Sequence, residues 1–168
     1  LAIMMIFFTM QNPEDMLDLI SGVFNYSAMM SFLGSRLREK KQLWLIAADI
    51  GGIRRINSAF GVSVGNEVFA AVGGYFNALP RGIWAFRMIG TRFLLVAEDA
   101  DGYRRTLEDV GDRFAAPWHV GDMDISLSVT IRYFGEWGFF KTPEDVVNLI
   151  DVAYSEVGAE GWGVPARI

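Results

Sequence analysis

Residues 43–66 read LWLIAADIGGIRRINSAFGVSVGN. From Leu43 the run is apolar without interruption until Asp49 closes it. Such a run predicts a central strand buried by its surroundings, with a polar group held at its tip. Residues 52–60 suit a short helix, and Gly61 suits its end.

Upstream, Asn12-Pro13-Glu14-Asp15 has the chemistry of a helix start: a capping amide, a proline fit for the first turn and two acids at the positive end. Gly22 predicts a turn. Residues 25–39 form an amphipathic pattern with Met29, Phe32, Leu33 and Leu37 on one face, closed by Lys40 and Lys41. Downstream, residues 66–79 repeat the helical spacing through Val68, Phe69, Val72, Phe76 and Leu79, until Pro80-Arg81-Gly82 ends it. Two apolar strands, 83–88 and 92–97, flank Ile89-Gly90-Thr91, a hairpin signal in which Gly90 is free to take positive φ. Residues 101–115 read as a helix. Residues 125–133 alternate through Ile125, Leu127, Val129, Ile131 and Tyr133, which predicts one strand with one buried face. Thr142-Pro143-Glu144-Asp145 starts a last helix carrying Val146, Leu149, Ile150, Ala153 and Val157, and Gly158, Gly161 and Gly163 fray its end.

This order predicts an α/β (α+β) fold: a βαββαβ core, with a mixed central sheet flanked by helices. The acid at the tip of the first strand and the hairpin turn of a neighbouring strand come close together there, the usual place for a site in such sheets.

The 168 residues suit one domain, and 52% hydrophobic against 21% charged residues is enough for a sizeable core. Fifteen basic against 20 acidic residues leave a net charge of −5, which lacks the electrostatic footprint of a general nucleic-acid binder. There is no cysteine, so disulfides, thiolate zinc sites and a cysteine nucleophile are excluded. The one histidine, His119, excludes multi-histidine metal sites and reads as structural. Residues 1–12 form an apolar leader, too short to span a bilayer, which needs about 20 residues. Two readings stand for it: an N-terminal strand or core helix, or the last turns of a transmembrane helix. A chain opening on Leu1 is expected to be a piece of something longer.

Three motifs in register resemble those of the GGDEF domains, the nucleotidyl-cyclase-like domains of bacterial diguanylate cyclases. The family's D-x-L-T-G-L-x-N-R appears as DLISGVFNY, Asp18 to Tyr26. Its D-I-D-x-F-K-x-I-N-D-x-x-G-H-x-x-G-D appears as DIGGIRRINSAFGVSVGN, Asp49 to Asn66. Its G-G-D/E-E-F appears as Ile89-Gly90-Thr91-Arg92-Phe93 after Arg87-Met88. The resemblance covers residues 18–163. It implies the ferredoxin-like palm of that family over residues 13–168, and a place in cyclic-di-GMP signalling.

It also implies a degenerate site. The family joins two GTP molecules with divalent metals held by carboxylates. One carboxylate is retained as Asp49, read either as the residual metal ligand or as a relic that caps neighbouring backbone. The second position is Thr91, which brings no full negative charge, and the next is Arg92. Two unit charges about 4 Å apart interact by roughly 4 kcal/mol at an effective dielectric of 20, so a cation here opposes metal binding. Ile89 replaces the first glycine of the turn. Asn57 retains the guanine contact, Asn66 replaces its aspartate, and Arg54 stands for the motif's lysine, so Asn57, Asn66, Gly90 and Arg54 are the candidate nucleotide contacts. The late phosphate-holding K-x-x-G-R aligns with Gly158, Gly161 and Trp162, and the inhibitory R-x-x-D aligns with Pro80 and Ile83. Arg87 is expected to make an ion pair within the fold, and Arg92 to be solvated or locally paired. Trp137, Phe139 and Phe140 read as loop packing, and Asp122 and Asp124 as a turn.

The expectation is a catalytically inactive regulatory module that requires no cofactor and holds Mg²⁺ and GTP weakly or not at all. The partners implied are a second copy, an adjacent EAL-type phosphodiesterase domain in the same chain, and GTP, with no nucleic acid. The implied location is the cytoplasmic face of a bacterial membrane. The alternative is an active or altered cyclase converting GTP to cyclic di-GMP.

Overall fold

The computed structural model describes residues 13–134, 140–155 and 166–167. Among the described residues, helices α1 (Tyr26–Arg38), α2 (Ile53–Phe60), α3 (Val62–Asn77), α4 (Ala100–Ala115) and α5 (Pro143–Ser155) are interspersed with strands. These are β1 (Trp44–Gly51), β2 (Ile83–Arg87), β3 (Arg92–Ala97), β4 (Trp118–Val120), β5 (Met123–Ile125), β6 (Ser128–Phe134) and β7 (Ala166–Arg167). The main sheet runs β2-β3-β1-β6-β7. β1 is antiparallel to both β3 and β6, β2 is antiparallel to β3, and β6 is parallel to β7, so the sheet is mixed as expected. The four strands β1, β2, β3 and β6 with their crossovers are the expected βαββαβ core in ferredoxin-like order.

The apolar run of β1 is buried on both faces because both faces are covered. Ile46, Ala48 and Ile50 point into one core with Val68, Val72 and Phe76 of α3 and Val110 and Phe114 of α4. Leu45 and Ala47 point the other way, into a second core with Met29 and Leu33 of α1 and Val146 and Ile150 of α5. Alternating side chains thus serve two cores, as strand geometry requires.

The motif Asp18 to Asn25 folds into a turn that closes on itself. The Asp18 carboxylate accepts from the Ser21 amide at 2.8 Å and the Ser21 hydroxyl at 2.6 Å. Gly22 takes φ +72°, and its carbonyl accepts from Asn77 Nδ2 at 3.0 Å. Asn25 caps α1 by accepting from the Ala28 amide at 3.0 Å. A Cβ on Gly73 would lie 1.9 Å from the Ser21 carbonyl oxygen, so glycine is what lets α3 pack against this turn.

Four expectations are corrected. Pro13 opens only one turn of 3-10 helix, Pro13–Met16, because Leu17 pairs with Phe24 instead of continuing the helix. The helix expected from residue 66 begins at Val62: Gly61, at φ +93°, both ends α2 and admits α3, so no loop separates them. Residues 125–133 are two strands. Met123–Ile125 pairs with Trp118–Val120 in a separate hairpin, turning at Gly121, and only Ser128–Phe134 joins the main sheet. That strand is covered on both faces, not one. Arg132, only 3% exposed, is tolerated because its Nε donates to the Ala153 carbonyl of α5 at 3.1 Å and its Nη1 to the Ile131 carbonyl at 3.2 Å. The leader 1–12, Trp137 and Phe139, and Val157, Gly158, Gly161, Trp162 and Gly163 lie outside the described residues. Among the described residues, no helix is long and apolar enough to cross a membrane.

Candidate functional site

The site is built where β1 ends beside the β2–β3 hairpin. Asp49 is the Cα partner of Arg92 on β3 and of Thr130 on β6. The hairpin tip is held by Met88 N–H donating to the Arg92 carbonyl at 2.9 Å and by Ile50 N–H donating to the Thr91 carbonyl at 3.1 Å. Gly90 takes φ +76° at the tip, the left-handed turn that a residue without Cβ makes at no steric cost. Arg87 donates from Nη2 to the Gly90 carbonyl at 2.5 Å, fixing the tip from below.

Both oxygens of Asp49 are engaged by the chain itself. The Thr91 hydroxyl donates to Oδ1, and Arg92 Nε lies 3.5 Å from Oδ2. Arg92 also reaches Asp151 of α5, Nη1 to Oδ1, at 2.5 Å. Its guanidinium carbon sits 4.7 Å from the centre of the Tyr154 ring. Tyr154 is anchored in turn, its hydroxyl 2.8 Å from both the Ala47 and Thr130 carbonyls. Burial, and then the charge of Asp49, push the Tyr154 hydroxyl above the ordinary tyrosine range. Arg132 lies on the same ring, 5.3 Å from its centre.

The position expected for a divalent ion is therefore poorly suited to one. A carboxylate whose oxygens already face a hydroxyl donor and a guanidinium offers little to a hard cation, and Arg92 repels it.

Of the residues singled out in the sequence, Asp49, Thr91 and Arg92 come together, and Arg92 is locally paired. Ile89, 78% exposed, and Gly90 form the open tip, while Phe93 is wholly buried in the core. Asn57 lies on α2 against Gly65, where a Cβ would sit 1.8 Å from its Oδ1. That oxygen is buried and has no hydrogen-bond partner among the described residues. Asn66 and Arg54 are exposed on their helices. Arg87 makes the expected ion pair, Nη1 to Asp18 Oδ1 at 4.0 Å, and lies 3.8 Å from the centre of the Phe69 ring. Burial opposes the charged form of Asp18, but Ser21's two hydrogen bonds and the charge of Arg87 outweigh it and hold the carboxyl below its usual range. His119 and Asp124 face each other across the small hairpin at 3.1 Å, so Asp124 is a strand residue and only Asp122 belongs to the turn.

Sequence reasoning missed Asp151 and Tyr154. Their three-residue spacing places them on one face of α5, but nothing local says which strand tip that face meets. A cleft of about 180 Å³ beside Arg92 is lined by Tyr26, Met88, Ile89, Val147 and Asp151.

No protein-family profile matches the chain, and no curated protein does. Solved structures do. A diguanylate cyclase/phosphodiesterase from Caldicellulosiruptor saccharolyticus matches at 15% identity and TM-score 0.78, over 92% of this chain and 93% of that one. The diguanylate cyclase SiaD of Pseudomonas aeruginosa, solved with its activator SiaC, matches at 20% identity and TM-score 0.75 over 91% of this chain, which spans 62% of that one. A microbial GGDEF domain studied in its interaction with cyclic di-GMP matches at 18% identity and TM-score 0.69, over 92% and 97%. The chain thus has the fold of the GGDEF domains.

Proposed function

We propose that this domain is a non-catalytic regulatory module of cyclic-di-GMP signalling. The likeness of its fold to diguanylate cyclases and to a GGDEF domain that interacts with cyclic di-GMP supports the pathway. One observation carries the loss of catalysis: Arg92, at the hairpin tip, is ion-paired with Asp49, the carboxylate that the resemblance assigns to metal. Joining two GTP molecules needs cations to neutralise phosphates and to activate a hydroxyl. Here the retained carboxylate is already neutralised, and Thr91 supplies no second anion.

In this reading the domain needs no cofactor. It acts by conformation and contact within a larger membrane-tethered protein, beside a phosphodiesterase domain or a second copy of itself. In this reading GTP binding without turnover rests on Asn57, the guanine contact that the resemblance implies. Incubation of the purified domain with GTP and Mg²⁺ or Mn²⁺, followed by chromatography, tests the proposal. No cyclic di-GMP is expected. Its synthesis, abolished by Asp49→Ala, would establish the active cyclase instead.

A further inference from the structure

The side chains that hold Arg92 amount to more than one ion pair. A single guanidinium bridges two carboxylates from distant parts of the chain, Asp49 at the β1 tip and Asp151 on α5. It rests on the face of Tyr154, whose hydroxyl is fixed on backbone carbonyls of both β1 and β6. A planar guanidinium stacked on a ring and forked between acids is well matched to its surroundings. The neighbouring guanidinium, Arg132, is committed to the Ala153 and Ile131 carbonyls and does not reach either acid.

We infer that the Arg92 side chain is the resident cation of this site, a plug built into the hairpin that takes the place a divalent ion would need and ties the tip of the sheet to α5. The inference rests on the non-catalytic reading and says what enforces it. Loss of the second carboxylate at Thr91 weakens a metal site. An internal cation goes further, because any incoming ion must displace a charge that is covalently tethered and therefore present at high effective concentration. Removing Arg92 leaves Asp49, Asp151 and the Thr91 hydroxyl as oxygen donors around the vacated space. Hard divalent ions that keep several waters need no more than one or two carboxylates. The 180 Å³ cleft bordering Arg92 gives the arginine somewhere to swing if it is displaced.

The test is Mn²⁺ binding, followed by electron paramagnetic resonance of the free ion at low salt, for the unaltered domain, Arg92→Ala and Arg92→Gln. Both variants are expected to bind Mn²⁺ at least about tenfold more tightly than the unaltered domain. Adding Asp49→Asn to Arg92→Gln is expected to abolish the gain. Arg92→Gln keeps much of the length of the side chain without its charge, so it separates the charge from any packing loss should Arg92→Ala fold poorly. Equal, tight Mn²⁺ binding by all three proteins would overturn the inference, as would folded Arg92 variants that gain nothing. Cyclic di-GMP synthesis by the unaltered domain would overturn the non-catalytic reading. Absence of synthesis together with no gain in Mn²⁺ binding would overturn the plug alone.

Discussion

Arg92 and Asp49 are Cα partners across β3 and β1, and their side chains meet, Nε to Oδ2, at 3.5 Å. In an antiparallel pair, directly opposite residues on one face are the closest neighbours the sheet provides. The residue that follows the hairpin's turn is therefore placed against the strand-tip acid by backbone register alone. An acid at that position would add to Asp49's charge; an arginine cancels it.

The pair is partly exposed, with side chains at 28% and 30%, so it governs charge more than stability. A double-mutant cycle with Arg92→Ala and Asp49→Asn, read by urea unfolding, is expected to give a coupling of about 0.5–1 kcal/mol.

Tyr154 is the structural keystone of the same corner. Tyr154→Phe removes the single O–H that the Ala47 and Thr130 carbonyls share and is expected to cost about 1–2 kcal/mol in urea unfolding. Its hydroxyl also links stability to pH. The folded-state value lies above the ordinary 10.0, so the hydroxyl's contribution is complete below pH 10 and is lost as pH rises through the folded-state value. The unaltered domain should lose stability above pH 10 more steeply than Tyr154→Phe, as followed by thermal melts across alkaline pH.

At the acid end, Asp18 behaves in the opposite sense. Its folded-state value is held below the ordinary 3.8, so its contribution is present above pH 3.8 and disappears as pH falls through the folded-state value. Asp18→Ala is expected to cost about 1–2 kcal/mol at pH 7. Melts across the acid range should show that cost shrinking as pH drops below 3.8.

Neighbouring glycines in α3 give a sharper contrast. A Cβ at Gly73 meets the Ser21 carbonyl at 1.9 Å, whereas one at Gly74 meets nothing within 4 Å. Gly73→Ala should destabilise by about 2–3 kcal/mol or more, because backbone would have to move. Gly74→Ala should stabilise by about 0.5–1 kcal/mol through helix propensity. Thermal melts of the two variants check both signs.

The legible parts of this molecule are those written in local periodicity. The LWLIAAD run announces a buried central strand, and the Ile89-Gly90-Thr91 break announces a hairpin beside it. Together these two signals are enough to bring Asp49 near Thr91 and Arg92. The small β4–β5 hairpin is hidden because Ile125, Leu127 and Val129 keep strand alternation across a break; what splits them is pairing with Trp118 and Val120, a tertiary choice. The roles of Asp151 and Tyr154 are hidden for a related reason. An amphipathic pattern tells which face of α5 is buried, but not which end of the sheet its polar residues meet.

In the proposed reading, Arg92 takes the place of a metal at Asp49. The most direct measurement is a crystal structure grown with Mn²⁺ and a non-hydrolysable GTP analogue, with anomalous scattering recorded at the manganese edge. No manganese peak is expected at Asp49, and the Arg92 guanidinium should bridge Asp49 and Asp151. A manganese ion at bonding distance from the Asp49 carboxylate, with Arg92 swung away, would contradict that reading.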